Sequence, residues 1–295
     1  MKNILYITIL LSLASCQKIV LDQLAFPSAK LDSYQFENYD AGNQSVPSEY
    51  SVDPSMRTLI TMESKDKSSG QTYTIYGVYI GDINTVNTDT IILYCHGQSL
   101  HMDIYYPRTK LLAYLAGKHN YGVLMIDYRG YGMSEGSSSE VGLSEDVDAS
   151  IDWLIGKGAK PDRTIYYGFS LGCIPVIERA AFRSDFEPSK IILESPLASV
   201  ANLAHSSTII NVDPAFISTL QFNNAENIKS VTVPLLWFHG IEDDYIAIPN
   251  GELIYKNHNG KFKEAIRVEN AGHGDIPMVF GFEKYLSKIE AFIIK

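Results

Sequence analysis

The stretch best equipped for chemistry is Gly168–Gly172, which reads G-F-S-L-G and carries Ser170 at its centre. β-Branched and aromatic residues precede it and apolar residues at helical spacing follow it, which predicts a strand, a tight turn and a helix. A serine on such a corner projects its hydroxyl clear of the sheet, and the flanking glycines let neighbouring backbone pass close by. The N–H of Leu171 lies at the helix N-terminus, where unpaired donors favour an anion. The turn therefore offers a nucleophile and one donor for an oxyanion.

A serine hydroxyl needs a base to take its proton and a carboxylate to orient that base. In a strand–turn–helix arrangement the chain order is serine, acid, histidine. The predicted strand Leu235–Phe238 runs into H-G-I-E-D-D, which makes Asp243 the candidate acid, and the last strand runs into N-A-G-H-G-D, which makes His273 the candidate base. Asp244, the next residue, and Glu194, at the end of the preceding strand, are alternative acids.

Several other polar residues lie beside these motifs and are expected to be structural. We expect His96 and His239 to hold loops by hydrogen bonds, His258 to belong to the turn that ends a helix, and Arg129 to brace a loop rather than contact substrate. Neither H-x-x-x-H nor C-x-x-C occurs in the chain, and no other cluster has the spacing of metal ligands. We therefore predict no metal and no cofactor.

Strands and helices alternate along most of the chain. The predicted strands are Thr58–Glu63, Thr72–Ile80, Thr90–Cys95, Gly122–Asp127, Thr164–Tyr167, Lys190–Glu194, Leu235–Phe238 and Ala265–Val268, and the predicted helices include Tyr106–Ala116, Ser144–Ile155 and Gly281–Ile294. Continuous apolar strands separated by helices predict an α/β fold with a mostly parallel sheet covered on both faces. The candidate residues all follow strand ends, where ligands bind in such sheets. The long interval 195–231 is predicted to be a short lid, with an ordinary connecting helix as the alternative.

The composition fits one globular domain. The chain has 295 residues, of which 45% are hydrophobic, and a formal net charge of −10. An acidic chain with no basic cluster is a poor partner for nucleic acid. Apart from the cysteine at position 16, the cysteines are Cys95 and Cys173, which follow apolar strand and helix patterns. We expect two buried, reduced thiols, with a disulfide as the alternative.

The first sixteen residues form a separate unit. Lys2 precedes a short apolar run, Ile4–Leu13, which is too short for a permanent transmembrane helix, and the sequence L-A-S-C follows. This pattern resembles a bacterial lipoprotein signal. The resemblance implies removal of residues 1–15 and lipid modification of Cys16, and hence an exported, membrane-anchored protein of the cell envelope. An ordinary signal peptide is the alternative. Residues 16–57 are then predicted to be a lipidated cysteine and a tether, whose end could pack on the surface of the domain, and 58–295 to be the globular domain.

Taken together, the motifs H-G-Q-S, D-Y-R-G-Y-G-M-S-E-G, G-F-S-L-G, H-G-I-E-D-D and A-G-H resemble those of the α/β-hydrolase superfamily. The matching branch includes small esterases, monoacylglycerol-lipase-like enzymes, serine aminopeptidase-like proteins and protein depalmitoylases. The resemblance implies that Asp243 is the acid and that the backbone N–H of Gln98 completes the oxyanion hole with Leu171. The Gln-Ser pair departs from the more usual sequence after H-G, so Ser99 remains an alternative donor.

These observations predict a serine hydrolase that cleaves carboxylic esters or thioesters of small-molecule or acyl substrates through an acyl-enzyme. Peptide hydrolysis is an alternative, because the same three residues serve both reactions. A non-catalytic binding protein with the same fold is a second alternative, since a fold alone does not imply activity. Retention of a serine, an acid and a histidine in the required order favours the enzyme.

Overall fold

The computed structural model describes residues 27–39, 46–98, 100–115, 121–200 and 220–295. They form one sheet whose strands are β1 (Arg57–Lys65), β2 (Thr72–Ile80), β3 (Thr90–Cys95), β4 (Tyr121–Ile126), β5 (Thr164–Phe169), β6 (Lys190–Glu194), β7 (Leu235–Gly240) and β8 (Lys263–Val268). Their order across the sheet is β1-β2-β4-β3-β5-β6-β7-β8. β1 and β2 run antiparallel to their neighbours, whereas β4 through β8 are mutually parallel with β3. The predicted α/β fold is confirmed.

Helices connect the strands and cover both faces of the sheet. They are α1 (Met102–Tyr114), α2 (Glu140–Gly156), α3 (Cys173–Phe182), α4 (Asn224–Asn227), α5 (Pro249–Asn257), α6 (Ile276–Phe280) and α7 (Phe282–Ile293). Buried side chains of α2, α3 and α5 pack on one face of the sheet, and those of α1 and α7 pack on the other. Alternate residues of one strand supply both cores, so Leu93 of β3 points to the first core and Tyr94 to the second. Burial on both faces explains why the central strands are apolar without alternation.

The segment 27–39 lies against the domain, although the sequence assigns it to the tether 16–57. The backbone N–H of Gly132 donates to Ala29 O at 2.8 Å, and Phe36 is buried among the core side chains beside α1. The residues of the predicted signal, 1–15, and Cys16 lie outside the described residues. The part of the tether that follows them therefore contains a strip of chain that is packed on the folded domain.

The interval predicted to be a lid is described only at its two ends. Ser199 and Asn223 form an antiparallel bridge, and Leu197 and Phe222 are buried in the core. Positions 201–219, which hold most of the predicted lid, lie outside the described residues. Both ends of the interval therefore belong to the body of the domain.

Two structural expectations are confirmed. Cys95 and Cys173 are buried and free, and burial raises the pKa of the Cys95 thiol to about 12, so that it is protonated at neutral pH. Arg129 is buried and pairs with Glu145 and Asp146, each at 2.9 Å, which braces the start of the loop after β4. The prediction that the two thiols are reduced and that Arg129 has a bracing role therefore holds.

Candidate active site

Ser170 occupies the corner between β5 and α3. A short 3₁₀ turn, Ser170–Gly172, joins the two elements, and Ser170 has a φ of 52°, a left-handed conformation that is rare for a residue with a side chain. A Cβ atom at Gly172 would lie 2.0 Å from the carbonyl oxygen of Cys95, so only glycine lets the turn pack against the end of β3. The local sequence therefore forces the serine into the strained position that the G-x-S-x-G pattern predicts.

His273 lies between the serine and the candidate acid. Its Nε2 is 2.8 Å from Ser170 Oγ, and its Nδ1 is 2.8 Å from Asp243 Oδ2. An ionised carboxylate can only accept, so the Nδ1 proton is donated to Asp243 and Nε2 accepts the hydroxyl proton of Ser170. The ring of Phe169 packs at 5.2 Å from the His273 ring. The structure thus brings together the three residues that the sequence separates by 103 and 30 positions.

The carboxylate of Asp243 is buried and fully engaged. Its Oδ1 accepts the backbone N–H groups of Tyr245 at 3.1 Å and Ile246 at 2.7 Å, while Oδ2 faces His273. Burial by itself would raise the pKa of Asp243, but hydrogen bonds from His239 and His273 outweigh it and hold the pKa below its ordinary value. Asp243 is therefore ionised at neutral pH, as the partner of a base must be.

His239 holds the loop that carries the acid. Its Nε2 lies 2.8 Å from Ile246 O and 3.4 Å from Asp243 Oδ2, and its Nδ1 accepts the indole N–H of Trp237 at 3.3 Å. Since Trp237 can only donate, the His239 proton is on Nε2 and points to the acid loop. The loop-holding role predicted for His239 is confirmed, and its contact with Asp243 adds a link to the site.

Two other histidines also form hydrogen bonds with backbone carbonyl groups. His96 Nδ1 lies 2.8 Å from Gly97 O, and the imidazole stacks on Tyr105 at 4.7 Å. His258, at the end of α5, places its Nε2 2.9 Å from Val233 O. Both predictions, of a loop-holding His96 and of a turn-forming His258, are confirmed.

Neither alternative acid occupies the position beside His273. Asp244 is exposed, whereas Glu194 is fully buried at the end of β6. Glu194 pairs with the guanidinium of Arg108 and accepts hydrogen bonds from the hydroxyls of Tyr167 and Tyr285. The geometry therefore assigns the position of the acid to Asp243.

The candidate oxyanion donors lie at neighbouring strand ends. Leu171 follows Ser170 directly, and Gln98 follows β3, whose Cys95 pairs with Gly168 of β5 in the sheet. The Tyr105 hydroxyl donates to Gln98 O at 2.6 Å and thereby holds the loop that carries Gln98. Ser99, the alternative donor, lies outside the described residues.

Two residues that no sequence motif indicated, Arg108 and Tyr245, lie next to this centre. The Arg108 guanidinium donates to Gly274 O at 2.7 Å and stacks over Phe169 at 4.5 Å. The sequence did contain one signal for Arg108: Glu194 ends an apolar strand, and a buried carboxylate needs a cation or hydrogen-bond donors nearby. The other missed residue is Tyr245, whose ring lies 4.9 Å from that of His273. It carries no recognisable sequence signal.

The arrangement suits acyl transfer by a serine. A hydroxyl that is hydrogen-bonded to an imidazole, itself oriented by an ionised carboxylate, is an activated nucleophile. Within the described part of the chain, no group of three or more His, Cys, Asp and Glu residues could hold a metal ion, and no helix is long and apolar enough to cross a membrane.

The eight-stranded, mostly parallel sheet, with a serine on a strand–helix corner, defines an α/β-hydrolase. The family model described as the alpha/beta hydrolase family matches residues 92–222. The chain belongs to this family and is a hydrolase.

Comparisons with individual proteins agree with this assignment. The chain is 30% identical over 210 residues to alpha/beta hydrolase domain-containing protein 17B of Xenopus tropicalis, covering 70% of this chain and 67% of the relative. It is 34% identical over 180 residues to protein 17C of Mus musculus, covering 61% of this chain and 52% of the relative. It therefore spans about half to two thirds of these relatives. A solved structure of the Pyrococcus furiosus esterase Pf2001 superimposes with a TM-score of 0.64 at 18% identity, covering 85% of this chain and 94% of that protein.

Proposed function

We propose that this hydrolase cleaves carboxylic esters or thioesters through Ser170, His273 and Asp243. The observation that carries the proposal is the unbroken pair of 2.8 Å hydrogen bonds from Ser170 Oγ to His273 and from His273 to Asp243. Ser170 attacks the carbonyl carbon while His273 takes its proton, and Asp243 stabilises the imidazolium. The backbone N–H groups of Leu171 and Gln98 stabilise the oxyanion.

Collapse of the tetrahedral intermediate expels the alcohol or thiol, which takes its proton from His273. Water then attacks the acyl-enzyme with His273 again as base, and the acid is released from Ser170. An ester or thioester substrate is favoured because the leaving oxygen or sulfur is a better leaving group than an amine. The solved protein with a similar fold is named an esterase, which agrees with this choice.

We further propose that Cys16 is lipidated and that the protein is held at a membrane of the bacterial cell envelope. The support is the L-A-S-C sequence after a short apolar run. The backbone N–H of Ala29 donates to Leu100 O at 3.2 Å, in the loop that carries Gln98. Thirteen peptide units separate Cys16 from Ala29, and a fully extended chain of that length reaches about 45 Å. Such an anchor would keep the site close to acyl substrates in the membrane.

The serine chemistry is tested by labelling the purified chain with a fluorophosphonate probe. We expect wild type to react and Ser170→Ala and His273→Ala to lose labelling, while all three unfold at similar temperatures. Absence of labelling in folded wild type would refute the proposal and favour a binding protein. Matched ester, thioester and amide substrates then separate esterase from peptidase activity, and preferential hydrolysis of the amide would contradict an esterase.

The anchor is tested by growing bacteria that express the full chain with an alkyne-bearing fatty acid. We expect the chain to take up the label and Cys16→Ser to remain unlabelled, with Cys95→Ser, a buried cysteine, as the control that keeps the label. An unlabelled wild-type chain would show that the anchor is absent without affecting the proposed chemistry.

A further inference from the structure

Tyr245 contacts the candidate acid, the candidate base and one of the candidate oxyanion donors. Its backbone N–H donates to Asp243 Oδ1 at 3.1 Å, and its ring lies 4.9 Å from the His273 ring at an interplanar angle of 57°. Its hydroxyl donates a hydrogen bond to the side-chain oxygen of Gln98, 147 positions away. The phenol therefore joins the loop of the acid to the loop of the oxyanion donor, beside the base.

The chemistry fixes which part of a substrate would lie next to this side chain. His273 must protonate the leaving oxygen or sulfur, so that atom has to come within hydrogen-bond reach of His273 Nε2. The carbonyl oxygen instead faces the N–H groups of Leu171 and Gln98. The contact between the Tyr245 and His273 rings is the observation that relates this side chain to the leaving-group side.

The surroundings of Tyr245 also separate it from the structural core. Tyr245 is 56% exposed, and it belongs to neither of the two clusters of buried residues. Exposed side chains of this kind change stability little when they are replaced. Tyr245 is thus placed to act on what enters the site rather than on folding.

We propose that Tyr245 is a specificity-determining residue that limits the size of the leaving group. Its ring forms a wall beside the leaving atom, and its hydrogen bond to Gln98 holds that wall across the space between the two loops. Removing only the hydroxyl releases the ring, and removing the whole side chain opens the leaving-group side. This inference rests on the proposed serine-hydrolase function.

The test compares wild type with Tyr245→Phe and Tyr245→Ala. Tyr255→Phe is the matched control, because the Tyr255 hydroxyl donates to Lys263 O at 3.3 Å, at the start of β8. One substrate series is acetate esters of alcohols of increasing size, from methanol to a branched alcohol. The other is p-nitrophenyl esters of acyl chains of increasing length, and kcat/KM is measured for both.

We expect Tyr245→Ala to raise kcat/KM for the bulkiest alcohol, relative to methyl acetate, by about tenfold over wild type, which is the scale at which pocket contacts discriminate. Tyr245→Phe should show a smaller rise, and the acyl series and Tyr255→Phe should keep the wild-type selectivity. An unchanged alcohol series, or an equal change in both series, would overturn the assignment. If wild type reacts with a fluorophosphonate probe, only the role of Tyr245 is then refuted, whereas an unreactive wild type refutes the proposed function with it.

Discussion

Replacing Asp243 with asparagine should reverse the protonation of His273 without changing the shape of the site. Asp243 Oδ1 accepts two backbone N–H groups, from Tyr245 at 3.1 Å and Ile246 at 2.7 Å. In Asp243→Asn these donors require the amide oxygen at that position, so the NH₂ group must face His273 Nδ1. Nδ1 then becomes an acceptor and the proton moves to Nε2, which can no longer accept the proton of Ser170.

The expected loss is about 10⁴-fold in kcat, the effect of holding such a histidine in the wrong tautomer. That factor corresponds to about 5.4 kcal/mol of transition-state stabilisation. The assay is steady-state hydrolysis of p-nitrophenyl acetate, with thermal unfolding to check the fold. Asp244→Asn is the control, since Asp244 is exposed next to Asp243. Retention of more than a tenth of wild-type kcat by Asp243→Asn, or a large loss in Asp244→Asn, would refute the reasoning.

Three further predictions concern stability. Arg108→Met should lower the free energy of unfolding in urea by about 3 kcal/mol, because it leaves Glu194 buried without its cation, and Glu194→Leu in the same chain should restore part of the loss. Phe36→Ala should lower the free energy of unfolding by about 3 kcal/mol, because Phe36 is buried in the core, whereas a decrease below about 0.5 kcal/mol would contradict the packing of the segment 27–39 on the domain. The pKa of Asp243 in the folded state lies below its ordinary value of 3.8. The ionised Asp243 therefore contributes fully to the free energy of unfolding above pH 3.8, and this contribution is lost as the pH falls toward the folded-state pKa. Urea unfolding at pH 6 and pH 3 should show a smaller acid loss in Asp243→Asn than in wild type.

Much of the fold was predictable because the central strands are local and apolar. The predicted bounds of β2, β3 and β6 match those of the structure. The start of the first helix was predicted less accurately. Helix α1 begins at Met102, four residues before the predicted start at Tyr106, and continues past Pro107. Proline is typical of a first helical turn, so a helix that begins five residues before Pro107 runs against the local signal.

Contacts between residues that are far apart in the chain were harder to predict from the sequence than the catalytic motifs. The candidate serine, acid and histidine each follow a strand end, so strand prediction and chain order sufficed to find them. The proposed role of Tyr245 rests on its hydrogen bond to Gln98, and that of Arg108 rests on its ion pair with Glu194. The two residues of each pair are far apart in the sequence and are brought together by the topology of the sheet. Phe36 lies in a segment without periodicity, so its burial could not be predicted from a pattern.

The two buried carboxylates at the ends of β6 and β7 explain why chain order alone left the acid ambiguous. Glu194 is the last residue of β6 and Asp243 follows β7, and these two apolar strands are parallel neighbours in the sheet. Their partners differ: Glu194 is bound by Arg108, a permanent cation, whereas Asp243 is held by neutral donors and by His273. Because Arg108 also donates to Gly274 O, beside His273, Glu194 secures the loop of the base through the arginine. Of the two carboxylates, Asp243 is the one that hydrogen-bonds to His273 and can stabilise a positive charge on it. The different partners of the two carboxylates, rather than their positions along the chain, therefore distinguish the candidate acid, Asp243, from Glu194, which holds Arg108 in place.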